Sequence, residues 1–227
     1  GYAVQIVNAR EYLLKGKDGF AREPVGTGPY MLDEFVDGEY VRLVAHDDYF
    51  GGRPTADSIT FQVVPEVSAR IAGLVSGEYD ISVNIPPDQI PTVERYDDLK
   101  VERIVLDNTH MLVFYQDAPF MADKKVRQAL SMAIDRDLLR QALWNDENFT
   151  PNGHQLPSYD IYIEDFPEFP YDPERAKELL AESSYDGETV TYRLPLNYYL
   201  NSLEAAQAIE QMWEAVGFNV SLEPREN

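Results

Sequence analysis

Apolar side chains recur through the middle of the chain as Val126, Ala129, Leu130, Ala133, Ile134 and Leu138. That spacing predicts one face of a helix packed on a core, with Lys124, Lys125, Arg127, Arg136 and Arg140 mostly off the stripe. Asp123 stands just before the stripe as an N-cap, because its side-chain oxygen can accept from the free amides of the first turn.

The rest of the chain divides into short elements. Met31–Phe35 and Tyr40–Ala45 alternate as strands around Asp37-Gly38, a two-residue hairpin signal. Ser58–Val64 predicts a further strand ended by Pro65. Ser68–Ser76 predicts a helix with Ile71, Leu74 and Val75 on one face and Gly77 as its stop. Pro86-Pro87 and Pro91 bracket a short helix or turn, and Val101–Phe114 reads as two apolar strand runs broken by Asp107-Asn108-Thr109-His110. Residues 145–171 mix prolines and aromatics without a period and predict a long irregular segment that wraps a surface or lines a site. Asp172 and Pro173 occupy the N-cap and first position of a helix with Ala176, Leu179 and Leu180 inward. Thr189–Leu194 alternates as a strand. Asn201 and Glu204 spell a capping box before a helix stopped by Gly217, and Phe218, Val220 and Leu222 alternate in a last strand. Near the start, Val4, Ile6, Val7, Tyr12, Leu13 and Leu14 form an amphipathic piece, followed by a loop from Lys15 to Gly19. The elements together predict a mixed α/β chain.

Composition narrows the function. Of 227 residues, 44% are hydrophobic, which excludes a disordered chain, and no apolar run is long enough to span a membrane. Forty acidic residues against 19 basic ones give a formal charge of −21, a poor partner for nucleic acid or an anionic membrane surface. With no cysteine, thiolate catalysis, disulfides and Cys-ligated metals are excluded. His46, His110 and His154 lack metal-ligand spacing, so no metal or other cofactor is expected. Gly26-Thr27-Gly28 has no following Lys-Ser/Thr or helix pattern and is not a phosphate loop. No G-x-S-x-G is present, Ser131 sits among apolar neighbours, and acidic residues are too abundant for any pairing to inform, so no catalytic residue is assigned.

Five phrases carry a resemblance. They are Pro24-Val25-Gly26-Thr27-Gly28-Pro29-Tyr30, the His46–Pro54 loop, Gly77-Glu78-Tyr79-Asp80-Ile81, Pro119–Leu139 with its V-R-Q-A-L-x-x-A-I-D-R core, and Tyr171–Glu182. In this order they closely resemble the middle of peptide- and nickel-binding proteins that serve ABC importers, extracellular solute-binding family 5. The resemblance implies a periplasmic-binding-protein-like type II fold, present in part, with mixed sheets flanked by helices. It also implies a first-lobe portion over residues 1–105 and the first part of a second lobe over 106–227, with ligand held between lobes. The aspartate that pairs with a peptide's amino terminus usually lies beyond the last strand seen here.

By position in these phrases, ligand contacts are expected from Val83, Asn84, Asn108, Thr109, His110, Asn197 and Tyr198. Amides supply both donor and acceptor to a peptide backbone, and tyrosine adds a flat apolar body with a polar tip. The competing reading is that these are strand-end and turn residues satisfying their own backbone. Tyr115 departs from the family, where many relatives carry Asn. The resemblance implies a monomeric, non-enzymatic receptor, periplasmic or at the cell surface, that delivers oligopeptides or dipeptides to a membrane permease. A sugar or nickel-chelate receptor of the same family, or an interaction fragment that binds no ligand, is the alternative. No signal peptide is visible at Gly1-Tyr2.

Overall fold

A computed structural model describes residues 7–104, 106, 108–153, 155–167, 170–196 and 198–225. The chain forms two compact units, Gly1–Ala72 and Gly73–Asn227.

In the first unit, β1 (Tyr30–Val36), β2 (Tyr40–Ala45) and β3 (Ser58–Gln62) form an antiparallel sheet in that order. β1 extends one residue beyond the alternating run at each end, and Val36 pairs with Tyr40. The hairpin loop therefore holds three residues rather than two, with Gly38 at φ 74° and the Glu39 N–H donating to the Val36 carbonyl. The His46 N–H donates to the Pro29 carbonyl at 2.9 Å, and its Nδ1 lies 3.3 Å from the Gly28 carbonyl. The glycine-rich loop is thus tied to the end of β2, a structural use for a motif that could suggest phosphate. α1 (Ala9–Arg22) continues through the expected Lys15–Gly19 loop, kinked where Gly16 takes φ 70° and ψ 179°. It buries none of its residues, and Leu13 and Leu14 are exposed. Val4 and Ile6 lie outside the described residues. α2 (Val67–Ser76), inside which the division between the two units falls, buries Ile71, whereas Val75 is exposed, so the inward face is narrower than its spacing suggested.

The second unit contains α3 (Ile90–Val93), α4 (Lys124–Met132), α5 (Arg136–Trp144), α6 (Pro173–Ala181), β4 (Thr189–Pro195), α7 (Ser202–Ala215) and β5 (Asn219–Arg225). β4 and β5 pair in parallel from Thr189–Asn219 to Pro195–Arg225, with α7 as the connection that a parallel pair requires. The core joins Val126, Ala129 and Leu130 of α4 to Ala176 and Leu179 of α6, Val190 of β4, and Ile209 and Trp213 of α7. The turn-rich segment 145–171 has neither helix nor strand among its described residues; buried Leu156 and Asn152 anchor it, the Asn152 amide donating to the Ile163 carbonyl at 2.9 Å.

The single helix expected over the central stripe is two helices. Asp135 caps α5 by accepting from the Leu138 N–H at 2.8 Å, and this cap resets the helical phase. Leu139 is buried as a result, and Leu138 is 53% exposed. α4 has only nine residues, too few to be stable alone in water, so burial of its apolar face must hold it. Its last carbonyls, which an α-helix cannot pair internally, each find a donor. Ala129 receives the Ala133 N–H, Ser131 an Arg136 guanidinium N–H, and Met132 the Asp172 N–H. Leu130 receives the Trp213 indole N–H at 2.8 Å in a buried setting.

Asp123 caps α4 as expected, accepting from the Lys125 N–H at 2.8 Å, and it also accepts from the Ser184 N–H at 2.8 Å. The Ser184 and Lys125 amides hold its carboxyl below the usual carboxylate range. A lowered folded value contributes stability above the unfolded value and loses it as pH falls through the folded one. Asp123→Asn is therefore expected to flatten the acid limb of a urea-denaturation series taken at successively lower pH. Parallel acid limbs in the two chains would contradict this assignment.

α7 ends in a Schellman motif: Phe218 N–H donates to the Trp213 carbonyl at 3.1 Å and Gly217 N–H to the Glu214 carbonyl at 3.0 Å. Gly217 takes φ 110°, which a side chain resists. Gly217→Ala is expected to destabilise by about 1–2 kcal/mol, read as a lower urea midpoint at constant slope. An unchanged midpoint would remove the strain argument. Asn201 departs from the expected capping box. It sits at the N-cap with φ 57°, its side chain makes no capping bond, and its amide instead donates to the Leu143 carbonyl at 2.6 Å.

The two strands expected over Val101–Phe114 are not formed among the described residues. Leu112 and Phe114 pack on the core while Met111, Val113 and Tyr115 face solvent, which is the alternation of a strand. A ladder needs a neighbouring strand as well as a pattern, and the described strands pair elsewhere.

Candidate functional site

The sequence-derived candidates lie in the second unit, on three irregular segments. Val83 and Asn84 precede the 3₁₀ turn Pro87–Gln89; Val83 is exposed and Asn84 takes φ 57°, a left-handed conformation that Asn tolerates well. This segment is held to the end of α5, because the Asn145 amide donates to the Pro87 carbonyl at 2.8 Å. Asn108, Thr109 and His110 lead into the half-packed run 111–115, with Thr109 half-buried and Asn108 exposed. Tyr198 is exposed after β4, and Asn197 lies outside the described residues.

Packing brings two of these segments together through rings. The His110 imidazole lies 4.0 Å from Tyr199 at 36° and 5.4 Å from Trp144 edge-on at 69°. Tyr199 in turn meets Tyr198 at 6.0 Å and 76°. Trp144 is the last residue of α5, and the Asn201–Leu143 bond fixes the Tyr198–Asn201 loop against that helix end. Deeper in the unit, Tyr192 meets Trp213 at 5.3 Å. Burial pushes the Tyr192 and Tyr199 phenols up, Tyr192 further so beside Tyr199. Desolvation beside these rings lowers His110 from the ordinary histidine value and so favours the neutral imidazole, although the residue as a whole is exposed.

Trp144 and Tyr199 carry the array and were not expected from the sequence. Trp144 falls five residues after Leu139, between the central stripe and the irregular segment from 145, and was assigned to neither; only the phase reset at Asp135 places it on a helix end. The Tyr198-Tyr199 doublet was the one visible signal, and its second member turned out to be the one that faces inward. The array offers flat uncharged surface and hydroxyl tips, suited to non-covalent binding rather than proton or group transfer. Among the described residues no group of three or more His, Asp or Glu could hold a metal, and no helix is long and apolar enough to cross a membrane. A surface depression lined by Arg22, Glu23 and Leu32–Asp37 belongs to the first unit and shares no residue with this array.

Comparison with known proteins bears on this site. The family profile described as bacterial extracellular solute-binding proteins, family 5 middle, matches residues 3–227. The chain is similar to the oligopeptide-binding protein AppA of Bacillus subtilis, 34% identical over 167 residues that cover 72% of this chain and 30% of that protein. The structure of B. subtilis AppA in complex with a nonapeptide superposes with a TM-score of 0.80 at 25% identity, covering 98% of this chain and 48% of that one. MoaA of A. tumefaciens R10 in complex with mannopinic acid gives a TM-score of 0.83 at 27% identity, covering 98% and 45%. The mixed α/β chain therefore has the periplasmic-binding-protein fold in part, spanning less than half the length of these proteins.

Proposed function

This chain belongs to the bacterial extracellular solute-binding proteins of family 5, and we propose that it is the middle portion of a receptor that captures short peptides and delivers them to an ABC importer. The observation that carries this reading is the fit of nearly the whole chain onto an oligopeptide-binding protein solved with a nonapeptide, together with 34% identity to that protein in sequence. The family is one of solute-binding proteins, so the chemistry asked of the site is recognition and release. In this proposal the receptor is monomeric and acts outside the cytoplasmic membrane. Residues 1–105 belong to its first lobe and 106–227 to its second, with ligand enclosed between them. Asn108, Thr109, His110, Asn197 and Tyr198 form part of the second-lobe wall, and Val83 and Asn84 a second stretch of wall. A receptor for a non-peptide solute is the second reading, favoured by the similarity to MoaA with its mannopinic acid.

The test is to purify the longest natural polypeptide carrying this chain under native conditions, denature it, and identify by mass spectrometry the small molecules released. A mixture of short peptides is expected, with a peptide pool raising the melting temperature because ligand binds only the folded state. Release of an opine, a sugar or a metal chelate would replace peptides by the second reading. Nothing released and no shift with peptide pools would overturn both.

A further inference from the structure

We propose that the aromatic array ending on Tyr198 is a subsite for an aromatic side chain of the bound peptide, an inference that rests on the peptide-receptor reading above. Two segments expected to line the ligand from separate parts of the sequence converge on one structure. His110 comes from the first, and Tyr198 and Tyr199 from the second, with Trp144 behind the imidazole. The array runs from the half-buried Trp144 and Tyr199 rings outward to exposed His110 and to Tyr198, which is 72% exposed. Its interior contacts are tilted or edge-on, the arrangement aromatic pairs favour, so a further ring laid on Tyr198 continues the series.

Charge decides between an aromatic occupant and the other flat group that stacks on tyrosine, an arginine guanidinium. A cation would gain most from a carboxylate beside the rings. The carboxylates closest to Trp144 in sequence are already engaged: Asp137 and Asp146 pair with Arg140, and Glu147 pairs with Arg103. The array residues themselves include no carboxylate, and desolvation favours the uncharged form of His110. An acidic side chain is disfavoured by the formal charge of −21. Asn108 and Thr109 precede His110 and supply the amide and hydroxyl that could hold the peptide backbone beside the subsite.

The experiment is calorimetric titration of the same full-length polypeptide with Ala-Ala-Ala, Ala-Phe-Ala, Ala-Arg-Ala and Ala-Glu-Ala. Phenylalanine is expected to tighten binding by about tenfold or more over alanine, from apolar burial and ring stacking. Tyr198→Ala is expected to bring that ratio towards one, and Tyr198→Phe to keep it. Equal binding of the Ala and Phe peptides, or a ratio unmoved by Tyr198→Ala, overturns the subsite and leaves the peptide reading standing. A clear preference for the Arg peptide overturns it in favour of a cation site. If the protein releases no peptide and binds none of the four, the peptide reading itself has failed and the inference falls with it.

Discussion

Replacing Trp213 by alanine is expected to destabilise the second unit by about 3–5 kcal/mol, the range for removing a large buried aromatic side chain. The side chain is 2% exposed, packs on Tyr192 and lies in the core built around α4. Two effects combine in that loss, and a second substitution separates them. Trp213→Phe keeps most of the apolar volume and removes the indole N–H that pairs with the Leu130 carbonyl. A buried carbonyl left without its donor costs about 1–3 kcal/mol. Urea unfolding of the parent chain and both variants, with fluorescence and circular dichroism followed together, gives the two figures. If Trp213→Phe has the parent midpoint, the indole is filling space only, and the end of α4 is satisfied in some other way. The size of the effect follows from the shortness of α4, whose nine residues depend on a donor delivered from 83 positions along the chain.

Leu130→Ala is expected to cost about 2–5 kcal/mol, whereas Leu138→Ala is expected to stay within about 0.5 kcal/mol of the parent. Both leucines lie on the same apolar stripe in the sequence, so helical periodicity alone assigns them equal weight. Leu130 is fully buried and, with Val126, is one of the two largest side chains closed off from solvent, so truncation leaves a cavity that surrounding helices fill only in part. Leu138 lies beyond the Asp135 cap and is more than half exposed. Comparable losses at the two positions would mean that α4 and α5 form one continuous helix in solution. The pair therefore tests the break as well as the burial.

Both experiments turn on what local pattern does and does not specify. The caps at Asp123 and Asp172 and the stop at Gly217 depend on interactions within a few residues, and the strands of the first unit and the strand–helix–strand close of the second show as local alternation and turn residues although their ladders pair more distant positions. They were legible as spacing and turn chemistry. The family was legible too, because five phrases kept their order along the chain. The candidate site was legible in part: His110 and Tyr198 were named from their phrases, while the ring that joins them was not.

What the sequence determined by itself is most of the helices and strands and the family to which the chain belongs, because these rest on short-range periodicity and on residue order; where the central stripe breaks, and whether the run 101–114 pairs, it did not determine. What only the tertiary structure decided is how distant pieces satisfy one another. An indole on α7 completes the end of α4, an asparagine expected to cap α7 instead ties its loop to α5, and a tyrosine after β4 stacks on a histidine 89 positions earlier. The run 101–115 keeps its strand alternation yet forms no ladder among the described residues, because alternation is local and a ladder needs a partner. Such pairings depend on which surfaces folding brings within a few ångströms, and no periodicity along the chain encodes that distance.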